Sequence, residues 1–198
     1  KGMYMWLYDE GGWPSGGAAG KVSLVEPKTV SKRLERRSVP LKKGEIYSVP
    51  KGVKAVFYGD KRIFSGASFE TDVELMEYFI KTSDIDPVRG ARTDLSEKLT
   101  SETFIDLTHE RYKEYIGDYF GKTVPFMFTD EACLMTPSFC YDFEERFKEK
   151  YGYDITDYFP ILFKSQGDND AENRVRIDYF SLCGEIFDEN YLKMQAAW

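Results

Sequence analysis

Two stretches of this chain are apolar without polar alternation: Met3-Tyr-Met-Trp-Leu-Tyr8 and Val124-Pro-Phe-Met-Phe128. Such runs read as strands covered on both faces, the habit of strands in a parallel sheet. Pro125 falls near the start of the second run, where a missing N–H is tolerated. Between the two, residues 22–82 carry short β-type runs: Val22–Val25, Glu45–Val49, Val53–Tyr58, Arg62–Phe64 and Val73–Ile80. Gly59-Asp60 separates two of them as a hairpin turn does. Consecutive short strands usually pair antiparallel, so this stretch reads as an insertion. Residues 83–100 are polar, interrupted by Gly and Pro, and form a long connection.

From residue 101 the periodicity becomes helical. Phe104, Ile105, Leu107, Tyr112, Tyr115, Ile116 and Tyr119 predict a helix over about 101–120, stopped by Gly121. Phe139, Phe143 and Phe147 predict a second over about 138–151, ended by Gly152. Asp154 is placed to cap a short helix that Pro160 interrupts. The last helix begins near Asp170 and carries Val175, Tyr179, Phe180, Cys183, Ile186, Phe187 and Tyr191 on one side. Strand, loop and helix alternate, which is an α/β pattern. Three stretches follow: 1–21, a strand with a glycine-rich loop; 22–100, the β-rich insertion and connection; 101–198, helix–strand–helix–helix.

Composition narrows the function classes. A chain of 198 residues can bury a sizeable core in one or two domains. Its 42% hydrophobic and 31% charged content is ordinary for a globular protein. A net charge of −7 lacks the basic footprint that nucleic acid needs. No apolar run approaches the roughly 20 residues of a membrane helix, and no signal-peptide pattern opens the chain. The sequence starts two residues before a strand and stops inside a helical pattern, so it reads as a piece of a longer protein, and its localisation stays open. Cys133, Cys140 and Cys183 have no metal-type spacing and read as reduced, mostly buried thiols.

The candidate chemistry sits where the two apolar runs end. Both finish in Asp-Glu, as Asp9-Glu10 and Asp130-Glu131. In α/β barrels and open α/β sheets, catalytic groups lie at the carboxyl ends of strands. A carboxyl there is partly desolvated, which raises its pKa and suits a general acid. Glu131 is the leading candidate, against the alternative of an acid that caps the next helix or pairs with an Arg. Strand alternation sends Asp130 and Glu131 to opposite sides, so one of them points inward. Glu10 is the candidate second carboxylate or sugar-hydroxyl acceptor. Asp9 serves equally well as an anchor for the Gly11-Gly12 turn. Two carboxyl groups across a glycosidic bond are what its hydrolysis requires.

Trp13, between Gly12 and Pro14, suits stacking on a sugar ring or plugging a barrel mouth. Tyr8, Asp9, Asp130 and the lone histidine, His109, complete the candidate substrate contacts, although a helical His is more often a satisfied interhelical residue. One His excludes a multi-His metal site within this stretch. The glycine loop is no phosphate cradle of the Walker type: Ser15 stands at the required first glycine and Val22 at the required Ser/Thr.

Trp6-Leu-Tyr-Asp-Glu-Gly-Gly-Trp-Pro-Ser-Gly-Gly17 resembles the strand-and-loop signature of large bacterial glycoside hydrolases akin to the α-L-rhamnosidases of family 106. Phe104–Gly121, Val124–Glu131 and Phe143–Phe163 with Tyr151-Gly-Tyr-Asp154 look like the matching downstream block. Residues 22–100 match only loosely, and Ala132 stands where relatives often carry proline. The resemblance implies a partial TIM-type (β/α) barrel with an antiparallel β insertion, acting on terminal sugars, with Glu131 and Glu10 in the pocket and Trp13 shaping it. Family members can carry calcium near the site, but no ligand set maps onto this chain, and no cofactor is expected. A full (β/α)8 barrel needs about 250 residues, so the expected partner beyond a carbohydrate substrate is the remainder of a larger chain. The rival reading is a non-catalytic carbohydrate-binding or scaffold fragment, self-associating through exposed edges and apolar faces.

Overall fold

The fold is that of a computed structural model, which describes residues 2–9, 11–12, 14–140 and 142–198. Helices and strands are mixed, in the α/β sense, and both sheets are small and open. The three consecutive stretches read from the sequence are distributed over two compact units, each built from separated segments. One unit takes residues 1–31, 82–135 and 185–198; the other takes 32–81 and 136–184.

In the first unit, β1 (Trp6–Tyr8) pairs in parallel with β6 (Phe126–Phe128), in the register Trp6↔Phe126, Leu7↔Met127 and Tyr8↔Phe128. Apolar content places both strands, but only one face is covered. Leu7 is 7% exposed, while Trp6 is 67%, Tyr8 44%, Phe126 61% and Phe128 50% exposed. The expectation of two covered faces is therefore corrected: among the described residues, packing reaches the Leu7 side alone. The strand is also shorter than Met3–Tyr8. Met5 N–H donates to Thr123 O (2.8 Å), yet Met3, Tyr4 and Met5 lie exposed outside the ladder.

Val22–Val25 is a helix, α1 (Lys21–Val25), and not a strand. Ala18, Ala19 and Gly20 all have positive φ, and this tight turn delivers the chain into a helical start. Val22 is then fully buried with Ala18, Leu95, Phe104 and Tyr191. Tertiary packing overrides the β preference of a Val-Ser-Leu-Val run. The single helix expected over 101–120 is two, α2 (Lys98–Leu107) and α3 (His109–Ile116), followed by a 3-10 turn over Gly117–Tyr119. Thr108 makes the break. Its hydroxyl donates to Phe104 O (2.6 Å), and its φ of −122° leaves the helical range.

The second unit holds a four-stranded sheet in the order β2-β5-β3-β4, with β2 (Lys32–Leu41), β3 (Val53–Tyr58), β4 (Lys61–Arg62) and β5 (Val73–Thr82). β3 pairs antiparallel with both β5 and β4, and Gly59-Asp60 is the hairpin turn between β3 and β4. Leu41, Tyr47, Val56, Ile63, Val73 and Leu75 form its core. β2 was not foreseen, and Glu45–Val49 is not a strand. Tyr47 N–H donates to Ala67 O and its carbonyl accepts from Gly66 N–H (both 2.8 Å), while Glu45 N–H turns back to Lys42 O (3.0 Å). Helices α4 (Phe143–Tyr151), α5 (Phe159–Leu162) and most of α6 (Asp170–Phe187) complete the unit, and α7 (Lys193–Ala197) belongs to the first. The Asp154 side chain caps a 3-10 turn over Ile155–Tyr158 by accepting from Thr156 N–H (2.9 Å).

Candidate functional site

The parallel pairing of β1 with β6 brings Asp9 and Asp130 to the same end of one two-stranded sheet. Asp9 N–H donates to Phe128 O (3.1 Å), continuing the ladder one step past Tyr8. The Tyr8 hydroxyl donates to Asp130 Oδ2 (2.9 Å). Ser15 then ties the glycine loop to both strand ends. Its hydroxyl donates to Asp9 Oδ1 (2.8 Å) and accepts from Asp130 N–H (2.9 Å), while its own N–H donates to Asp130 O (3.0 Å). Ser15 and Asp9 are both buried.

Burial is the main influence on Asp9 and lifts its pKa above the ordinary value. Hydrogen bonds from Ser15 and Thr129 pull the other way, and the neighbouring charge of Asp130 adds to the rise. The Thr129 hydroxyl lies 3.1 Å from that of Tyr191, a fully buried ring. Burial chiefly, with the Asp9 charge adding, pushes the Tyr191 phenol up to about 12. Asp9 is thus an inward anchor, and Asp130 is half-buried beside Tyr8.

Glu131 is exposed and has a φ of 45°, in the left-handed region that L side chains seldom adopt. That conformation costs roughly 1–2 kcal/mol. Backbone strain of this kind concentrates at functional sites. Glu10 and Trp13 lie outside the described residues.

His109 goes to a different cluster. It is buried, with Nδ1 2.8 Å from the Thr108 hydroxyl and its ring edge-on to Phe104 and Trp198 at centroid distances of 5.5 and 4.9 Å. Burial pushes its pKa down to about 4. It is a neutral ring between the aromatic rings of Phe104 and Trp198.

Beside the strand ends is a cavity of about 330 Å³, whose lining includes Ser15, Gly17, Arg89, Arg92, Thr93 and Cys133. Arg92 Nη2 lies 3.0 Å from Cys133 Sγ, and the Thr93 hydroxyl donates to Gly16 O (3.2 Å). Asp9, Asp130 and Glu131 are not part of this lining; Ser15 connects the two. Sequence reasoning missed Ser15 as a link, and Arg89 and Arg92 altogether. A small polar residue between Pro14 and Gly16, six positions after Asp9, was the available signal for the first. The arginines sit in a connection without periodicity and gave none.

Among the described residues no group of three or more His, Cys, Asp or Glu could hold a metal ion. The cysteines are free, Cys133 exposed and Cys140 and Cys183 buried. No helix among the described residues is long and apolar enough to cross a membrane. Compared with family models, curated proteins and solved structures, the chain matches none.

Proposed function

We propose that this chain carries part of the acid/base rim of a glycoside hydrolase that cleaves terminal sugars, in the manner of the rhamnosidase group it resembles. The observation that carries the reading is the parallel pairing of two apolar strands that both end in Asp-Glu. In (β/α) barrels such ends form the catalytic face, and β1 and β6 are read as two neighbouring strands of one. Glu131 acts as general acid/base, with Glu10 as the second carboxylate across the glycosidic bond. Asp130 and Tyr8, already bonded to each other, contact sugar hydroxyls. Asp9 holds the loop that carries Trp13, whose indole stacks on the sugar.

A second reading has a specific observation in its favour. Trp6, Tyr8, Phe126 and Phe128 present exposed rings on paired strands, with Trp6 and Phe126 edge-on at 5.7 Å and Tyr8 and Phe128 tilted by 31° at 5.4 Å. Such a surface suits sugar stacking without catalysis.

A panel of aryl glycosides decides between them. Turnover by the wild type, cut by ~10²–10⁴ in Glu131→Gln and Glu10→Gln with the fold retained, is the expected result. Unchanged rates in both variants would end the catalytic assignment. Sugar binding without turnover would favour the binding surface.

A further inference from the structure

We propose that the cavity beside the strand ends binds the carboxylate of an acidic sugar, through the guanidinium groups of Arg92 and Arg89. The inference deepens the hydrolase reading and rests on it for the word sugar; the anion site itself stands on the cavity.

The cavity's volume of about 330 Å³ lies in the range of small-ligand sites. One wall is glycine. Gly20 and Gly90 both have positive φ, and a Cβ on either would overlap the facing carbonyl oxygen, of Arg89 and of Gly20 respectively. Ser23, fully buried, locks this contact: its hydroxyl lies 2.8 Å from Gly20 O and accepts from Ala91 N–H (2.7 Å). The two glycines let the facing backbones pack against each other, so the wall is preformed.

Its charge is at odds with the rest of the chain. The protein carries a net charge of −7, yet Arg89 and Arg92 are the only charged groups among the described lining residues. Arg92 is half-buried at the Cys133 wall, and Arg89 is exposed at the mouth. A guanidinium presents planar paired donors that match a carboxylate, and partial burial strengthens the match. A neutral sugar needs no such pair. Ser15 lines the same cavity and also binds Asp9 and Asp130. The anionic ring would therefore sit next to the bond that Glu131 is proposed to cleave.

Sulfate and phosphate share the relevant chemistry, so the test separates them. The full chain is titrated calorimetrically with glucuronate, galacturonate, glucose, inorganic sulfate and inorganic phosphate, at low and high salt. Uronates are expected to bind roughly tenfold tighter than glucose, with salt weakening the uronates alone. Arg92→Gln should remove that advantage. Arg89→Gln, at an exposed side chain that leaves the fold intact, should weaken uronate binding several-fold. Equal binding of uronate and glucose, or wild-type affinity in both variants, overturns the proposal. Binding of the inorganic anions without the uronates overturns it as well. A chain that binds uronates with this arginine dependence but cleaves no glycoside supports the site and removes the hydrolase reading.

Discussion

Ser15→Ala probes the joint between the two strand ends. The substitution deletes one oxygen that serves two partners, Asp9 Oδ1 at 2.8 Å and Asp130 N–H at 2.9 Å. A hydrogen bond to a charged group is worth ~1.5–3 kcal/mol, and a buried donor left unmet costs ~1–3 kcal/mol. Both losses arise from one atom and do not simply add, so the expected destabilisation is about 2–4 kcal/mol. Asp9 should also move further above its ordinary pKa, since the Ser15 bond is the largest influence holding it down. Urea denaturation gives the global cost, and hydrogen exchange at the Asp130 amide gives the local one. That amide should lose protection in the variant more than the amides of β3, which lies in the other unit. A cost below ~0.5 kcal/mol with unchanged exchange would refute the idea that Ser15 joins the strands.

Two further substitutions test the site's edges. His109 has its pKa lowered from 6.5 to about 4, so the unfolded chain takes up a proton before the folded one does, and stability is lost as pH falls through that window. His109→Phe should therefore lose less stability between pH 7 and 4.5 than the wild type, measured by urea midpoints at both values. The Thr108 hydroxyl keeps its bond to Phe104 O in the variant. The raised pKa of Asp9 acts in the opposite direction, its contribution being lost as pH rises, but both proteins share it. Identical pH profiles would contradict the buried, neutral assignment. Glu131→Gly relieves a φ of 45° worth roughly 1–2 kcal/mol while adding ~0.5–1 kcal/mol of chain entropy. Its Tm should match or exceed that of the wild type while turnover disappears; a marked fall in Tm would show that the side chain holds the loop for structural reasons.

The parts of the fold that the sequence announced are those where one local signal dominates. Continuous apolar residues marked β1 and β6, and Gly59-Asp60 marked the β3–β4 turn. β2 was hidden because Lys32, Arg33, Glu35, Arg36 and Arg37 give it the look of a solvated segment. Its charges are instead employed: Arg37 pairs with Glu77 (2.6 Å), which also accepts from the Tyr47 hydroxyl (2.5 Å), and the Arg36 guanidinium lies 4.7 Å from the Phe163 ring centre. Buried Leu34 and Leu41 hint at the strand, but two residues seven positions apart carry no periodicity. α1 escaped for another reason, since a turn and long-range packing decide its conformation. At the site, paired acids at strand ends were legible from position alone. The bond of Ser15 to both acids, and the place of Arg89 and Arg92 in the cavity that Ser15 also lines, were not, because backbone turns decide them and no periodic pattern records them.

The claim at the centre of this account is that the carboxyl ends of β1 and β6 form one sugar site. It is tested most directly by titrating the Glu131→Gln protein with an intact glycoside while following its backbone amides by NMR. Shifts that saturate together at Asp9, Ser15 and Asp130 are predicted. Shifts confined to Trp6 and Phe126, with those three amides unmoved, would contradict it.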